Sequence, residues 1–402
     1  MDRRNCYNPL YMAPNDLAKA ISLGRKYEQF THMVGFRRGE AGKLMALASY
    51  AKPIIEPDIP IFDGIDFPLT FGDYITLIET LCKRASIPWH AFVRRNAREI
   101  AATCQSVVEA YVLRIVHNLA ELYDPRQLCL AGGFFLNCLL NHRIISKTPY
   151  SDVHIIPAAG DDGQSVGAAF EAAIQIGEHP VRLSRPIVPY LGLAHSDQEI
   201  SEALEHFRLP YRRLPEALLI DRMVETLIGG GTIGVLRGRS EMGPRALCHR
   251  SILAHPGYSE IRDDLNRIKG REPFRPFAPV VAAEEQFEYF NLSAPSRYML
   301  FASTVKSQYR NLLAGITHVD GTARVQAVTA DDEPFVHRLL LAFGKRSGFA
   351  VLLNTSFNLA GDPLVESPHD ALTAFLTSSL DALVMEDYYV TSRSPRQLRI
   401  RA

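Results

Sequence analysis

The sequence predicts an α/β protein with more than one domain, and three observations carry that prediction. Its 402 residues, 47% of them apolar, suffice for two to three cores at roughly 100–200 residues per domain. Two strand–turn–helix units follow each other directly between residues 127 and 173, and a proline-rich break at residues 180–190 is followed by fresh helix and strand patterns.

Through residue 85 the pattern is mixed and loop-rich, and the proline-bearing acidic stretch Lys52 to Asp66 (KPIIEPDIPIFDGID) reads as a surface connection. From about Asn96 to Leu122, Ile100, Cys104, Val107, Tyr111 and Ile115 recur at helical spacing and predict one long amphipathic helix, ending near Tyr123-Asp124-Pro125. The apolar run Gln127 to Ala131 predicts a strand, Gly132-Gly133 a tight turn, and Phe134 toward Ile145 a helix. The same grammar repeats with a strand at Val153 to Ile156, the loop Pro157 to Gly163, and a helix from Gln164. The small residues of that helix (Gly167, Ala168, Ala169, Ala172, Ala173) allow close packing on a sheet.

The domain boundary falls in PVRLSRPIVPY, residues 180–190, which has three prolines and no periodicity. Beyond it, Ser196 and Glu199 make a capping box for a helix to about Phe207, and Pro215 opens a helix ending at Gly229-Gly230-Gly231. A strand follows at Thr232 to Leu236. Val351-Leu352-Leu353 reads as a buried strand, and Ser367-Pro368-His369-Asp370 as the start of a helix to about Ser378. There is no internal repeat and no low-complexity tract.

Forty-four basic residues balance 44 acidic ones, so any cationic site is local, and a nucleic-acid or membrane coat is disfavoured. No run reaches the ~18 apolar residues that span a bilayer, and the opening residues lack an apolar core, which together predict a cytoplasmic location. Six cysteines are scattered without CxxC spacing, so they are expected to be reduced and mostly buried. The histidines contain no HExxH pattern, and no GxSxG elbow or Walker A lysine is present.

The densest chemical pattern lies in the second half. Four arginines (Arg237, Arg239, Arg245, Arg250) occupy a loop directly after a strand, and Lys269, Arg271 and Arg275 follow in KGREPFR. They are interleaved with Gly243, Pro244, Pro273, Phe274 and Pro276, residues that fix backbone. Such runs are either a solvated basic face or an anion site. Each charge-assisted bond from Arg to an oxyanion contributes roughly 1.5–3 kcal/mol, so three or four hold a doubly charged phosphate against water. Arg324 sits in a strand after a turn and serves either this site or a cross-strand ion pair. Asn354, Thr355, Ser356 and Asn358 form either a simple turn or the donors and acceptors for a small carbonyl compound. In the first half, Gly132-Gly133 either makes a tight turn or lets amides approach an anion at a helix start. Asp161, at the end of the next strand, either orders its turn or holds a cation.

Taken together, LCLAGGFFLNC (128–138), PAAGDDGQSVGAAF (157–170), GRSEMGPRALCHRSIL (238–253), IKGREPFRPFAPVV (268–281), THVDGTARVQ (317–326) and LLNTSFNLAGDPLVESPHDA (352–371) resemble the O-carbamoyltransferases of antibiotic and nodulation-factor biosynthesis. The resemblance spans about residues 20 to 390. It implies an actin-like, sugar-kinase-like transfer domain over residues 1–182 that lacks its first subdomain, followed by a YrdC-like domain over 183–402. The implied reaction joins carbamoyl phosphate and ATP, with Mg²⁺, into carbamoyladenylate, then transfers the carbamoyl group to a hydroxyl-bearing small-molecule acceptor.

Under this resemblance, Lys269 and Arg271 match the K-x-R element of the YrdC-like pocket, and Ser356 and Asn358 its S-x-N element. These four and Arg324 are the expected catalytic residues. Gly132, Gly133, Asn137, Arg245, Arg250, Arg275 and Asn354 are the expected binding residues, and Asp161 matches a metal-binding carboxylate. The chain departs from the family by lacking the segment with a histidine pair and another aspartate. Only Asp161 therefore remains of an Fe²⁺ or Mn²⁺ ligand set, and a partner chain or self-association is expected to complete the transfer domain. Cys248 and Ala51 stand where glycine is usual. The alternatives are a non-catalytic subunit that binds nucleotide or carbamoyl phosphate, and a protein of tRNA threonylcarbamoyladenosine biosynthesis, which needs the absent histidine pair.

Overall fold

A computed structural model describes residues 22–59, 71–123, 127–150, 152–178, 186–258 and 260–391, the side chains of 71–73 excepted. Cys6, residues 60–66 of the acidic stretch, Asp124-Pro125 and residues 180–185 of the proline-rich break lie outside the described residues. The chain divides into two compact units, Met1–Ile115 and Val116–Ala402.

The first unit contains α1 (Leu23–Met33), α2 (Ala41–Ala48), α3 (Phe71–Ala85), α4 (Trp89–Arg95) and most of α5 (Ala97–Leu122). The long helix stands where its periodicity predicted it, but the region before residue 85 is more helical than its composition suggests. In α1 only Tyr27, Phe30 and Thr31 are buried, a sparse stripe in a polar segment, and the Ser22 hydroxyl caps its start by accepting from the Arg25 amide. Within this unit the Tyr27 hydroxyl donates to Gln105 Oε1 at 2.9 Å, and Thr103 Oγ1 accepts from the Ile54 amide at 3.0 Å.

In the second unit β1 (Gln127–Leu130) pairs in parallel with β2 (Asp152–Ile155). The helix expected from Phe134 is split into a 3₁₀ turn (Gly133–Leu136) and α6 (Cys138–Lys147). Asn137 causes the break: its backbone is extended, and its Oδ1 accepts from the Leu140 amide at 3.1 Å, starting a new helix. After β2, α7 (Gln164–Gln175) forms as predicted. Its small residues do not pack on a sheet: none of its residues is buried, and Phe170 and Ile174 are exposed.

There follow α8 (Asp197–Phe207), β3 (Tyr211–Arg213), α9 (Glu216–Ile228), β4 (Thr232–Leu236), β5 (Arg250–Ala254), α10 (Ile261–Ile268), β6 (Ala278–Ala282), α11 (Gln286–Tyr289), β7 (Ala302–Thr304), β8 (Thr322–Arg324), β9 (Gln326–Val328), α12 (Pro334–Ser347), β10 (Val351–Ser356), α13 (Pro368–Thr377), β11 (Ala382–Met385) and β12 (Tyr388–Thr391). The capping boxes Ser196/Glu199 and Ser367/Asp370 both form. An eight-stranded mixed sheet runs β3-β12-β11-β4-β5-β10-β6-β9, and β7 pairs with β8 separately. Strands β4, β5, β6 and β11 are buried at every position and β10 at all but Ser356, so both sheet faces are covered. Helices α9 and α12 pack on the sheet as one pair and α8 and α13 as another. The protein is thus mixed α/β around a multi-stranded sheet. No helix among the described residues is long and apolar enough to cross a membrane.

Candidate functional site

The parallel pairing of β1 and β2 brings their following loops together. Gly132 takes φ +104, open to glycine at little cost, and its amide donates to the Ala159 carbonyl at 2.7 Å. A Cβ on Gly160 would lie 3.6 Å from Gly133 Cα, so the two glycine turns touch. The arginine-rich loop after β4 closes on the same place. Gly243, at φ +92, lies so near that a Cβ there would stand 2.5 Å from the Pro157 carbonyl oxygen. Asn141 on α6 adds a tie, its Nδ2 donating to the carbonyls of Phe135 and Leu300 at 2.7 and 2.8 Å.

Lys269 ends α10 and is only 3% exposed. Its Nζ donates to Asn358 Oδ1 at 2.8 Å, the Asn358 carbonyl at 2.9 Å, Ser356 Oγ at 3.2 Å and the Ser356 carbonyl. Ser356 Oγ in turn donates to Asn358 Oδ1 at 2.7 Å. The last residue of β10 and the turn after it therefore wrap one ammonium. Burial, then the neighbouring Arg271 and Arg275, pull the Lys269 pKa down to about 6. The four oxygens act in the opposite sense, because only a protonated amine has three hydrogens to share among them.

Arg271 lies over the Phe277 ring, 5.3 Å from its centroid, with Thr355 Oγ1 3.5 Å from its Nη1. Burial, then Arg275 and Arg324, lower its pKa to about 9. Arg324, at the end of β8, is pulled down by burial and by Arg275, and its Nε is buried without a partner among the described residues. Arg245 is lowered to about 9 by burial and then by Arg324. Its Nη2 donates to the Leu136 carbonyl at 3.0 Å, while its Nε has no partner among the described residues. Arg275 also pairs with Glu272 at 3.6 Å. Five basic side chains from three separate stretches thus gather here, and Lys269, Arg271, Arg245 and Arg324 are each lowered by a neighbouring arginine. Such an arrangement is unfavourable until an anion joins it, and the orphaned buried Nε–H groups of Arg245, Arg271 and Arg324 are donors left for one.

Other expected residues stand elsewhere. Arg250 is fully buried, its guanidinium donating to the carbonyls of Arg237, Gly238, His249 and Leu193, so it braces loops apart from the cationic group. Asn354 donates to the Ala246 carbonyl at 3.2 Å and to Gln326 Oε1 at 2.8 Å, beside the group. Asn137 caps α6 next to Cys138, whose thiol burial pushes up and Arg324 and Arg245 pull down. Gly132 and Gly133 are exposed at the β1–β2 loops.

Asp161 is exposed, with Gln164 Nε2 3.2 Å from its Oδ1. No three His, Cys, Asp or Glu side chains gather around a common point among the described residues. Asp161 by itself does not fit an iron or manganese centre, which needs several ligands. Two participants stand outside the residues that the motifs single out, Phe277 beneath Arg271 and Glu241, an acid inside the arginine-rich loop, while Thr355 of the expected polar cluster stands beside Arg271.

The chain is similar in sequence to known proteins along most of its length. A family model described as carbamoyltransferase N-terminus matches residues 7–170, and one described as carbamoyltransferase C-terminus matches residues 224–392. Nodulation protein NolNO of Sinorhizobium fredii is 34% identical over 391 residues, 93% of this chain and 56% of that protein. Nodulation protein NolO of Bradyrhizobium diazoefficiens is 33% identical over 389 residues, 92% of this chain and 69% of its own length. The 3'-hydroxymethylcephem-O-carbamoyltransferase of Amycolatopsis lactamdurans is 30% identical over 366 residues, 87% of this chain and 65% of that protein. The chain spans 56 to 69% of the length of these relatives. With both family models matched in order, and together over most of its length, the chain belongs to the carbamoyltransferase family.

Proposed function

We propose that the chain is an ATP-dependent O-carbamoyltransferase whose Lys269 pocket forms carbamoyladenylate from carbamoyl phosphate and ATP, within a YrdC-like domain that follows part of an actin-like one. The observation that carries this reading is the convergence of buried Lys269 with the largely enclosed Arg271, Arg324 and Arg245 and the part-exposed Arg275, beside the hydrogen-bonding groups of Ser356 and Asn358. For atoms to balance, water first cleaves carbamoyl phosphate to carbamate and phosphate. A carbamate oxygen then bonds to the α-phosphorus of ATP, and the bond from that phosphorus to the bridging oxygen breaks to release pyrophosphate.

The arginines neutralise the negative charge that grows on the departing pyrophosphate, and Ser356 and Asn358 hold the carbamoyl amide and carbonyl in line. Mg²⁺ would enter with the ATP phosphates. In transfer, the acceptor hydroxyl oxygen attacks the carbamoyl carbon and AMP leaves. The bare face of α7, with Phe170 and Ile174 exposed, supports a covering surface from a partner chain or a second copy during that step.

Pyrophosphate release from ATP, Mg²⁺ and carbamoyl phosphate tests the reading; a rate in Lys269→Ala equal to that of the native chain removes Lys269 from the mechanism. A second reading, a binding subunit that completes another protein, is favoured by the lone, exposed Asp161. Calorimetric ATP binding without pyrophosphate release would establish it instead.

A further inference from the structure

The turn from Ala246 to Arg250 is folded by side chains. Glu241 Oε1 accepts from three backbone amides, those of Leu247 at 2.7 Å, His249 at 2.8 Å and Arg250 at 3.1 Å. Between them the Cys248 amide donates to Ser251 Oγ at 3.0 Å. The carbonyls are held as well. Asn354 Nδ2 donates to Ala246, while Gln326 Nε2 and the Tyr190 hydroxyl donate to Leu247 at 3.2 and 3.0 Å.

The backbone needs this support. Cys248 takes φ +86, a left-handed conformation costing a residue with a Cβ on the order of 1–2 kcal/mol, and it persists only where its surroundings impose it. Amides converging on one oxygen form a nest that attracts a carboxylate, and here the carboxylate comes from four residues before Arg245. The second Glu241 oxygen is buried without a partner among the described residues, so the position serves the amides and little else. Arg245 is joined directly to this turn, and its guanidinium reaches both the Leu136 carbonyl and the range of Arg324.

We propose that Glu241 is a positioning residue, whose carboxylate templates the 246–250 turn and thereby holds Arg245 in the anion-binding group. The inference rests on reading that group as an anion pocket, and two measurements separate its failure from the failure of that reading.

The first follows the turn without any ligand. Cys248 is 1% exposed, so iodoacetamide, with labelling mapped by mass spectrometry, leaves it unmodified in the native chain. Glu241→Ala is expected to label at least tenfold faster, and Glu241→Gln, which keeps an oxygen for the amides, to stay near native. The second is calorimetric binding of pyrophosphate to the native chain, Glu241→Ala, Arg245→Ala and the double variant. Both single variants lose affinity by a similar factor, and the double variant is no weaker than Arg245→Ala alone.

Losses that multiply in the double variant, or an affinity unchanged in Glu241→Ala, overturn the positioning role. Protection of Cys248 in Glu241→Ala overturns the template itself. If the native chain binds no pyrophosphate, the anion-pocket reading falls and takes the positioning of Arg245 with it, while the labelling result still decides whether Glu241 templates the turn. Should Glu241→Ala not fold, Glu241→Asp keeps the charge on a shorter stem that cannot reach all three amides. It is then expected to show an intermediate loss that again vanishes on an Arg245→Ala background, and native affinity in Glu241→Asp overturns the role.

Discussion

Replacing Lys269 by methionine keeps the length of the stem and removes the ammonium, so it isolates what the charge contributes. With its pKa lowered to about 6, the group is mostly neutral at pH 7.5, and recharging it for an incoming phosphate costs about 2 kcal/mol, from 1.36 kcal/mol for each of roughly 1.5 pH units. Two charge-assisted bonds to a transferring phosphate return roughly 3–6 kcal/mol. The net, about 1–4 kcal/mol, predicts a loss of roughly 5- to 1,000-fold in pyrophosphate release at saturating ATP, Mg²⁺ and carbamoyl phosphate. The gap between native and variant should widen as pH falls toward 6, because less of the ammonium's contribution is then spent on taking up a proton. A coupled pyrophosphate assay across pH 6 to 8.5 measures both. Rates within threefold of native, or a gap that does not change with pH, would refute the assignment of a buried, depressed lysine to this step.

Lys269 also sets a pH dependence of stability. Its folded pKa lies below its ordinary 10.5, so between about pH 6 and 10.5 the unfolded chain binds more protons and stability rises with pH; denaturation midpoints in the native chain should show this slope, and in Lys269→Met it should flatten. Gly243→Ala places a Cβ against the Pro157 carbonyl at a positive φ and is expected to destabilise the fold by about 1–3 kcal/mol, read by chemical denaturation. Ser367→Ala removes the acceptor for the Asp370 amide in the capping box of α13 and should cost about 1 kcal/mol in the same assay, with pyrophosphate release per folded molecule unchanged.

Where elements announce their ends with capping chemistry, the sequence was readable to within a residue or two. Ser196, Ser367 and the apolar stripe from Ile100 mark helices that form where expected. Asn137 has the same chemistry but sits inside an apolar pattern, so the interruption before α6 passed as helix interior. Helix α1 escaped because its buried stripe is only three residues wide. Of the charged residues, those spaced by glycine and proline do gather, yet spacing alone could not separate Arg245, which reaches the group, from Arg250, which spends its donors on backbone carbonyls. That distinction depends on a positive φ at Cys248 and on Glu241, both set by tertiary packing.

Strand β10 lies between β5 and β6 inside the eight-stranded sheet, and its last residue is Ser356, paired with Ser251. The oxygens that surround Lys269 are therefore attached to the end of an interior strand that is buried at every position but its last. The pairings with β6 over Val351–Asn354 and with β5 over Leu353–Ser356 overlap at Leu353 and Asn354, so the amide hydrogens there should exchange only through global unfolding, and the strand that carries Ser356 should stay in place for as long as the sheet itself does.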